Sequence, residues 1–251
     1  MNAYNKFPAD NTKKRAIIMV NSENLVSATF DGIHLSKLFN DILHFDNINI
    51  LANAQDSLDK IKAKTGEYKN ITLTLCKTKS VLLSNLSLLL NNDENIVFVM
   101  SSHGYAHGDT NYIKYMGELI YDYEWNKTIQ TSLHENAHCL TLVDACQSGT
   151  ELNLNYKTLD LITYSEENKN VNNTKKIICI SSVADTEYDE DNVSELGFGG
   201  GLTSAYIDYC YENKNKIMTI HDFFIYYQNR MKKCGKHSLL SFNCVDFMKK
   251  H

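Results

Sequence analysis

The chain has 251 residues, a net charge of −5 and an ordinary apolar content, enough to bury a full core in one large domain or two tightly joined lobes. Such a charge gives no basic footprint for nucleic acid. No apolar run reaches the roughly 18 residues that span a bilayer, and the polar residues 1–6 are not a secretory signal. A soluble, cytoplasmic protein without nucleic-acid or membrane partners is expected. The seven cysteines are odd in number and scattered, with no CxxC and no zinc-type Cys/His spacing, so no resident metal or cofactor is expected either.

Residues 1–12 are polar, contain Pro8 and read as a flexible terminus. Residues 16–20, AIIMV, form a short continuous apolar run followed by the turn-prone Asn21-Ser22, the pattern of a buried strand. Asp31-Gly32 then leads into Ile33, Leu35, Leu38, Phe39 and Ile42, the spacing of an amphipathic helix. A short apolar Ile48-Asn49-Ile50 follows, and then a polar helical stretch around Leu58 and Ile61. Residues 71–75 read as a second strand, after which Thr78 can cap a helix carrying Val81, Leu82, Leu86, Leu89 and Leu90.

Residues 95–100, 139–143 and 177–180 are the third, fourth and fifth strands. Between the third and fourth lie Trp125, Tyr115, Tyr121 and Tyr123, for which packing is the plainer reading and a substrate channel the sharper one. Two helices over 202–211 and 221–232 and a last strand over 238–243 complete the chain. Residues 151–174 are polar and rich in asparagine, and read as a long exposed excursion. Strands alternating with helices indicate an α/β fold with a largely parallel sheet, which places ligands outside the carboxyl ends of its strands. His103 and Cys146 fall at that edge.

Those two residues carry the chemistry. The third strand ends in Ser101-Ser102-His103-Gly104 and the fourth in Asp144-Ala145-Cys146-Gln147-Ser148-Gly149. A thiol is nucleophilic as the thiolate, and a neighbouring imidazole can generate it and then protonate a leaving amine. Attack on an amide also needs donors for the oxyanion, for which the backbone N–H groups of Gly104 and Cys146 are the candidates. Cys76, Cys139 and Cys179 lie in or beside apolar runs and read as small buried hydrophobes.

The local pattern DACQSG, with its histidine roughly 40 residues upstream, resembles the caspase signature, in which QAC[RQG]G follows the histidine by about 50. The chain as a whole, from the strand at Ala16 to that near Leu239, resembles the caspase-like cysteine peptidases, and within them the metacaspase and bacterial caspase-like branch. The resemblance implies the caspase-hemoglobinase fold, with a mainly parallel six-stranded sheet flanked by helices. It divides a single peptidase domain, 13–251, into a large-subunit-like part (13–155), a linker (156–176) and a small-subunit-like part (177–251). His103 becomes the general base and acid, and Cys146 the nucleophile.

Animal caspases carry a neutral residue two places before the cysteine, where this chain, like the metacaspases, has Asp144. A carboxylate there would attract a lysine or arginine side chain. The segment Ser181-Ser182-Val183-Ala184-Asp185-Thr186-Glu187 resembles the metacaspase SGCxDxQ in part and implies Asp185 as a second acidic pocket residue, a turn carboxylate being the bland alternative. Residues 197–203, GFGGGLT, resemble the stretch that enters a helix below the catalytic site.

The implied activity is endopeptidase cleavage of protein or peptide substrates after Arg or Lys. Self-processing is consistent with Lys157, Lys169, Lys175 and Lys176 in the linker. Calcium activation, common in that branch, points at the acidic run Tyr188-Asp189-Glu190-Asp191-Asn192. No EF-hand spacing is present there, and a solvated loop is the plainer reading. The rivals are a non-catalytic homologue acting as a scaffold and an Asp-directed peptidase, the latter opposed by the absence of any arginine between Val97 and Leu196. The last strand could be a homodimer edge or be shielded in a monomer.

Overall fold

The computed structural model describes residues 13–23, 25–107, 110–148, 152–161, 163–166, 175–183, 192–194 and 197–243. β1 (Lys14–Val20) lies third from one edge of a large mixed sheet. Beside it on one side are β2 (Asn47–Ala52) and β3 (Ile71–Leu75); on the other are β4 (Asn95–Ser101), β8 (His138–Asp144) and β11 (Lys176–Ser181). These six strands are parallel in the order β3-β2-β1-β4-β8-β11. β14 (Leu239–Phe242) pairs antiparallel with β11, β9 (Tyr156–Thr158) with β14, and β10 (Ser165–Glu166) with β9.

Among the described residues the sheet thus has nine strands instead of six. β2 escapes the apolar-run criterion because Asn47 and Asn49 interrupt it, although Asn49 is buried and its amide oxygen accepts from the Arg15 guanidinium at 2.7 Å. β9 lies in the stretch read as an exposed excursion. Its Tyr156 ring stacks on Phe242 at 5.5 Å, and Leu152, Leu154 and Thr158 are buried. A few apolar anchors outweigh the polar composition around them. β14 is therefore shielded by β9.

Both faces of the sheet are covered, as a parallel sheet requires. Alternate residues of β1 point to opposite cores, Ala16, Ile18 and Val20 to one and Ile17 and Met19 to the other. The first core receives α1 (Val26–Lys37), its continuation as a π-helical turn (Leu38–Ile42), α2 (Gln55–Thr65), α5 (Gly201–Glu212) and α6 (Ile220–Lys233). The second receives α3 (Lys79–Leu90), α4 (Asp122–Ser132) and one face of a small sheet, β5 (Gly104–His107), β6 (Thr110–Tyr115) and β7 (Glu118–Tyr121). A two-stranded ribbon, β12 (Asn192–Ser194) with β13 (Gly197–Gly199), precedes α5.

α3 begins where its cap was expected, the Thr78 hydroxyl accepting from Val81 N at 3.2 Å. α1 starts earlier than its apolar spacing indicates and runs through Asp31-Gly32, because Gly32 lets the helix pack closely on Val20 and Ile61. Trp125 is fully buried against Phe98, ring centres 6.3 Å apart, which settles it as a packing residue. Among the described residues no helix is long and apolar enough to cross a membrane.

Candidate active site

β4 and β8 run side by side in register, Ser101 opposite Asp144, so both chains leave the sheet at the same point of its carboxyl edge. Ser102 N still donates to Asp144 O at 3.3 Å, and His103 and Cys146 follow just beyond. Both line one cavity of ≈ 170 Å³, together with Ser101, Asp144 and Gly200. Strand pairing, not local sequence, brings the imidazole and the thiol to one place.

The turn carrying the thiol is held from several sides. Gln147 sits in the left-handed region at φ 52°, which tightens the turn, and its Oε1 accepts from Ala106 N of β5 at 2.9 Å. Gly104 lies flat against the Cys146 carbonyl, so any side chain there would overlap that oxygen. From the end of β11, Ser182 donates its hydroxyl to Ala145 O at 2.8 Å and its backbone N–H to Val143 O at 2.9 Å. Tyr227 of α6 in turn donates to Ser182 O at 3.0 Å. On the histidine side, Asn21 Nδ2 donates to Ser102 Oγ and to Lys114 O, both at 2.8 Å, and Asn53 Nδ2 donates to Asn21 Oδ1 at 2.8 Å.

Asp144 is buried at the cavity wall. Its Oδ2 accepts from Thr203 N at 2.6 Å, in the first turn of α5, and the bare backbone of Gly200 rests on the carboxylate. A second carboxylate lies behind it. Asp31 of α1 is fully buried, accepts from Ser101 Oγ at 2.5 Å, and takes the Gly200 N–H at 3.0 Å. The first N–H groups of a helix have no partners within it and favour negative charge. Here the start of α5 is met by two carboxylates from α1 and β8. Each thereby has acceptors satisfied by backbone while Ser101 and Asp144 face the cavity.

Asp31 is the site residue that sequence reading missed. A signal was present, since Asp31 shares a helix face with Leu35 and Leu38 at i+4 and i+7, and an acid on an apolar face must find partners. Ser101 and Ser182 stand within the motifs without a role, whereas Gly200, one of the glycines expected to let backbone pack closely, does so against the Asp144 carboxylate. Asp185 lies outside the described residues, as does the acidic run 188–191, while His107 is exposed in β5 beside the site. Among the described residues no three His, Cys, Asp or Glu side chains converge to hold a metal ion.

Cys76, Cys139 and Cys179 are buried in the second core, as expected. Burial pushes the Cys76 thiol up to about 11 and Cys139 up to about 12, so both stay protonated and inert. No protein-family model matches the chain, and no curated protein matches it in sequence.

Proposed function

We propose that the protein is a cysteine endopeptidase of the caspase-like fold that cleaves polypeptides after arginine or lysine. The observation that carries this reading is one cavity lined by a histidine, a cysteine and a buried carboxylate, each delivered by the carboxyl end of neighbouring parallel strands. A basic side chain entering the cavity would meet Asp144, and the Ser101 hydroxyl that Asp31 orients. A charge-assisted contact with a carboxylate that water barely reaches is worth more than the same contact at the surface.

His103 removes the proton of the Cys146 thiol, and the thiolate attacks the carbonyl carbon of the basic residue. The oxyanion takes hydrogen bonds from backbone N–H groups, for which Gly104 and Cys146 are the proposed donors. Collapse of the tetrahedral species breaks the C–N bond, His103 gives its proton to the departing amine, and a thioester remains. A water that loses a proton to His103 then attacks the thioester, releasing the new carboxyl terminus and returning the thiol.

Aspartate-directed cleavage would need a cation at the cavity wall, and an arginine is the usual one. The chain has two arginines. Arg15 pairs with Glu94 at 2.6 Å and Arg230 with Asp208 at 3.0 Å, on other parts of the fold. Of the linker lysines, Lys157 is paired within β9, Lys176 begins β11, and Lys175 Nζ donates to Leu133 O at 2.6 Å. Cleavage at any of these would require sheet structure to open first. Lys169 lies outside the described residues.

The test is hydrolysis of fluorogenic peptides ending in Arg, Lys, Asp or Asn, with and without calcium, and with Cys146→Ala as control. Release from Arg and Lys peptides alone is expected. Cleavage after Asp alone overturns the assignment of Asp144, and no cleavage of any peptide favours a binding or scaffold role.

A further inference from the structure

Next to His103 lies a surface that this reaction leaves unused. The small sheet is registered so that Tyr105 of β5 stands opposite Tyr112 of β6, and Tyr112 opposite Tyr121 of β7. Their rings form a continuous series. Tyr105 and Tyr112 are stacked with centres 5.5 Å apart, Tyr112 and Tyr121 are 6.0 Å apart, and Tyr121 stacks on Tyr123 at 5.4 Å. The near end of the series is His103 itself, its ring centre 6.5 Å from that of Tyr105.

The core does not demand these rings. The opposite face of the same sheet already supplies Ile113, Tyr115 and Ile120, all fully buried. Tyr105 and Tyr123 at the two ends of the series are 39% and 57% exposed. The surface is also rigidly tied to the nucleophile, through the Ala106 N–H on Gln147 Oε1 described above.

We infer that this tyrosine ladder binds the stretch of substrate that follows the scissile bond and selects aromatic or bulky apolar side chains there. The inference rests on the peptidase reading. A general acid must stand within hydrogen-bond reach of the amine that it protonates. The chain beyond the scissile bond therefore leaves the site past His103, and Tyr105 is the next ring it meets. In an extended chain, side chains on one side recur about every 6.6 Å, close to the ring spacing of the ladder. Tyrosine offers a large contact face with little rotamer entropy to lose, which suits it to peptide recognition.

The neighbouring charges favour apolar over cationic residues. Lys114 is exposed on the same side of β6 as Tyr112, where it would repel a cation. At that end Glu124 Oε2 is paired with Lys79 Nζ at 2.6 Å, and the buried Asp122 accepts from the backbone N–H groups of Asn111 and Tyr123.

The experiment uses the full chain and two kinds of substrate sharing one arginine-ending sequence. The short kind carries a coumarin amide directly after the arginine, and the long kind is an internally quenched peptide continuing with Phe, Lys or Gly residues. Wild-type protein is expected to cut the Phe series about tenfold faster than the Gly or Lys series, the scale of one or two aromatic contacts. The Tyr112→Ala, Tyr121→Ala double variant should lower the ratio of long-Phe to short kcat/KM about tenfold, and Tyr→Phe at both positions should restore it. Should the double variant not fold, the exposed Tyr123→Ala is read by the same ratio, with a fall of about threefold expected. A ratio unchanged in the alanine variant, or wild-type preference for Gly or Lys, overturns the ladder assignment. Failure of wild-type protein to cut even the short substrate overturns the peptidase reading and the ladder with it.

Discussion

Strand β8 has a histidine and a cysteine at each end. At its amino end His138 and Cys139 are consecutive residues; beyond its carboxyl end Cys146 meets His103 from the neighbouring strand. Consecutive residues of a strand point to opposite faces, so the first pair cannot share a proton. Burial drives both of its members neutral, lowering the pKa of His138, with Lys176 adding to the effect, and raising Cys139 to about 12. The second pair comes from parallel strands that end together, around a cavity with a carboxylate in its wall. Residue type is the same at the two ends. Strand geometry and access to water set the inert pair apart from the pair proposed to react.

The sharpest way to break this comparison is to remove each thiol in turn. Cys146→Ala should lower kcat/KM on arginine peptides by at least about a thousandfold, the scale on which a covalent nucleophile acts. Cys139→Ala should leave that rate within about twofold and instead cost about 1 kcal/mol of stability, read from urea midpoints. Equal losses from both would dissolve the distinction. Next in size is Gly104→Ala, which forces the Cys146 carbonyl to move. A displacement near 1 Å at the reacting group predicts a loss of about a hundredfold in kcat.

Asp144→Asn should then reduce kcat/KM on arginine and lysine peptides by roughly 10- to 100-fold, the range of one charge-assisted hydrogen bond. Asp31→Asn, acting through Ser101, should cost about tenfold or less on the same peptides.

The smallest effect concerns pH. His138 has an ordinary pKa of 6.5 in the unfolded chain and a lower one when folded. The unfolded state therefore takes up a proton that the folded state resists. Stability is lost as pH falls through 6.5, and the loss levels off below the folded pKa. His34, lowered by burial with help from Lys37, acts in the same direction. Urea midpoints between pH 7.5 and 5.5 should fall, and fall less in His138→Gln. An unchanged slope in that variant would mean that the amino end of β8 does not titrate as its burial implies.

Much of the site was legible because its parts sit at the ends of continuous apolar runs. His103, Gly104, Asp144 and Cys146 follow two such runs, and parallel pairing brings run ends together without further information. Asp31 was not legible as a site residue. Its partners Ser101 and Gly200 lie far along the chain, and α1 had to be seen to run through Gly32 before the acid faced inward. β2 was hidden by Asn47 and Asn49, the second of which is met by Arg15 of β1. The small sheet was missed for a different reason. One of its faces is solvated, so Tyr105, Tyr112, Lys114 and Tyr121 dilute the apolar pattern that Ile113, Tyr115 and Ile120 set on the other.

The flank of the sheet where β9 and β10 lie over β14 bears on how the molecule works in a crowd. That margin ends in Ser165 and Glu166, both exposed, a strand too short and too charged to serve as a template for another chain. Each molecule closes this side of its sheet with its own backbone. The described residues lining the cavity at the carboxyl edge of β4 and β8 come from elements other than β9, β10 and β14.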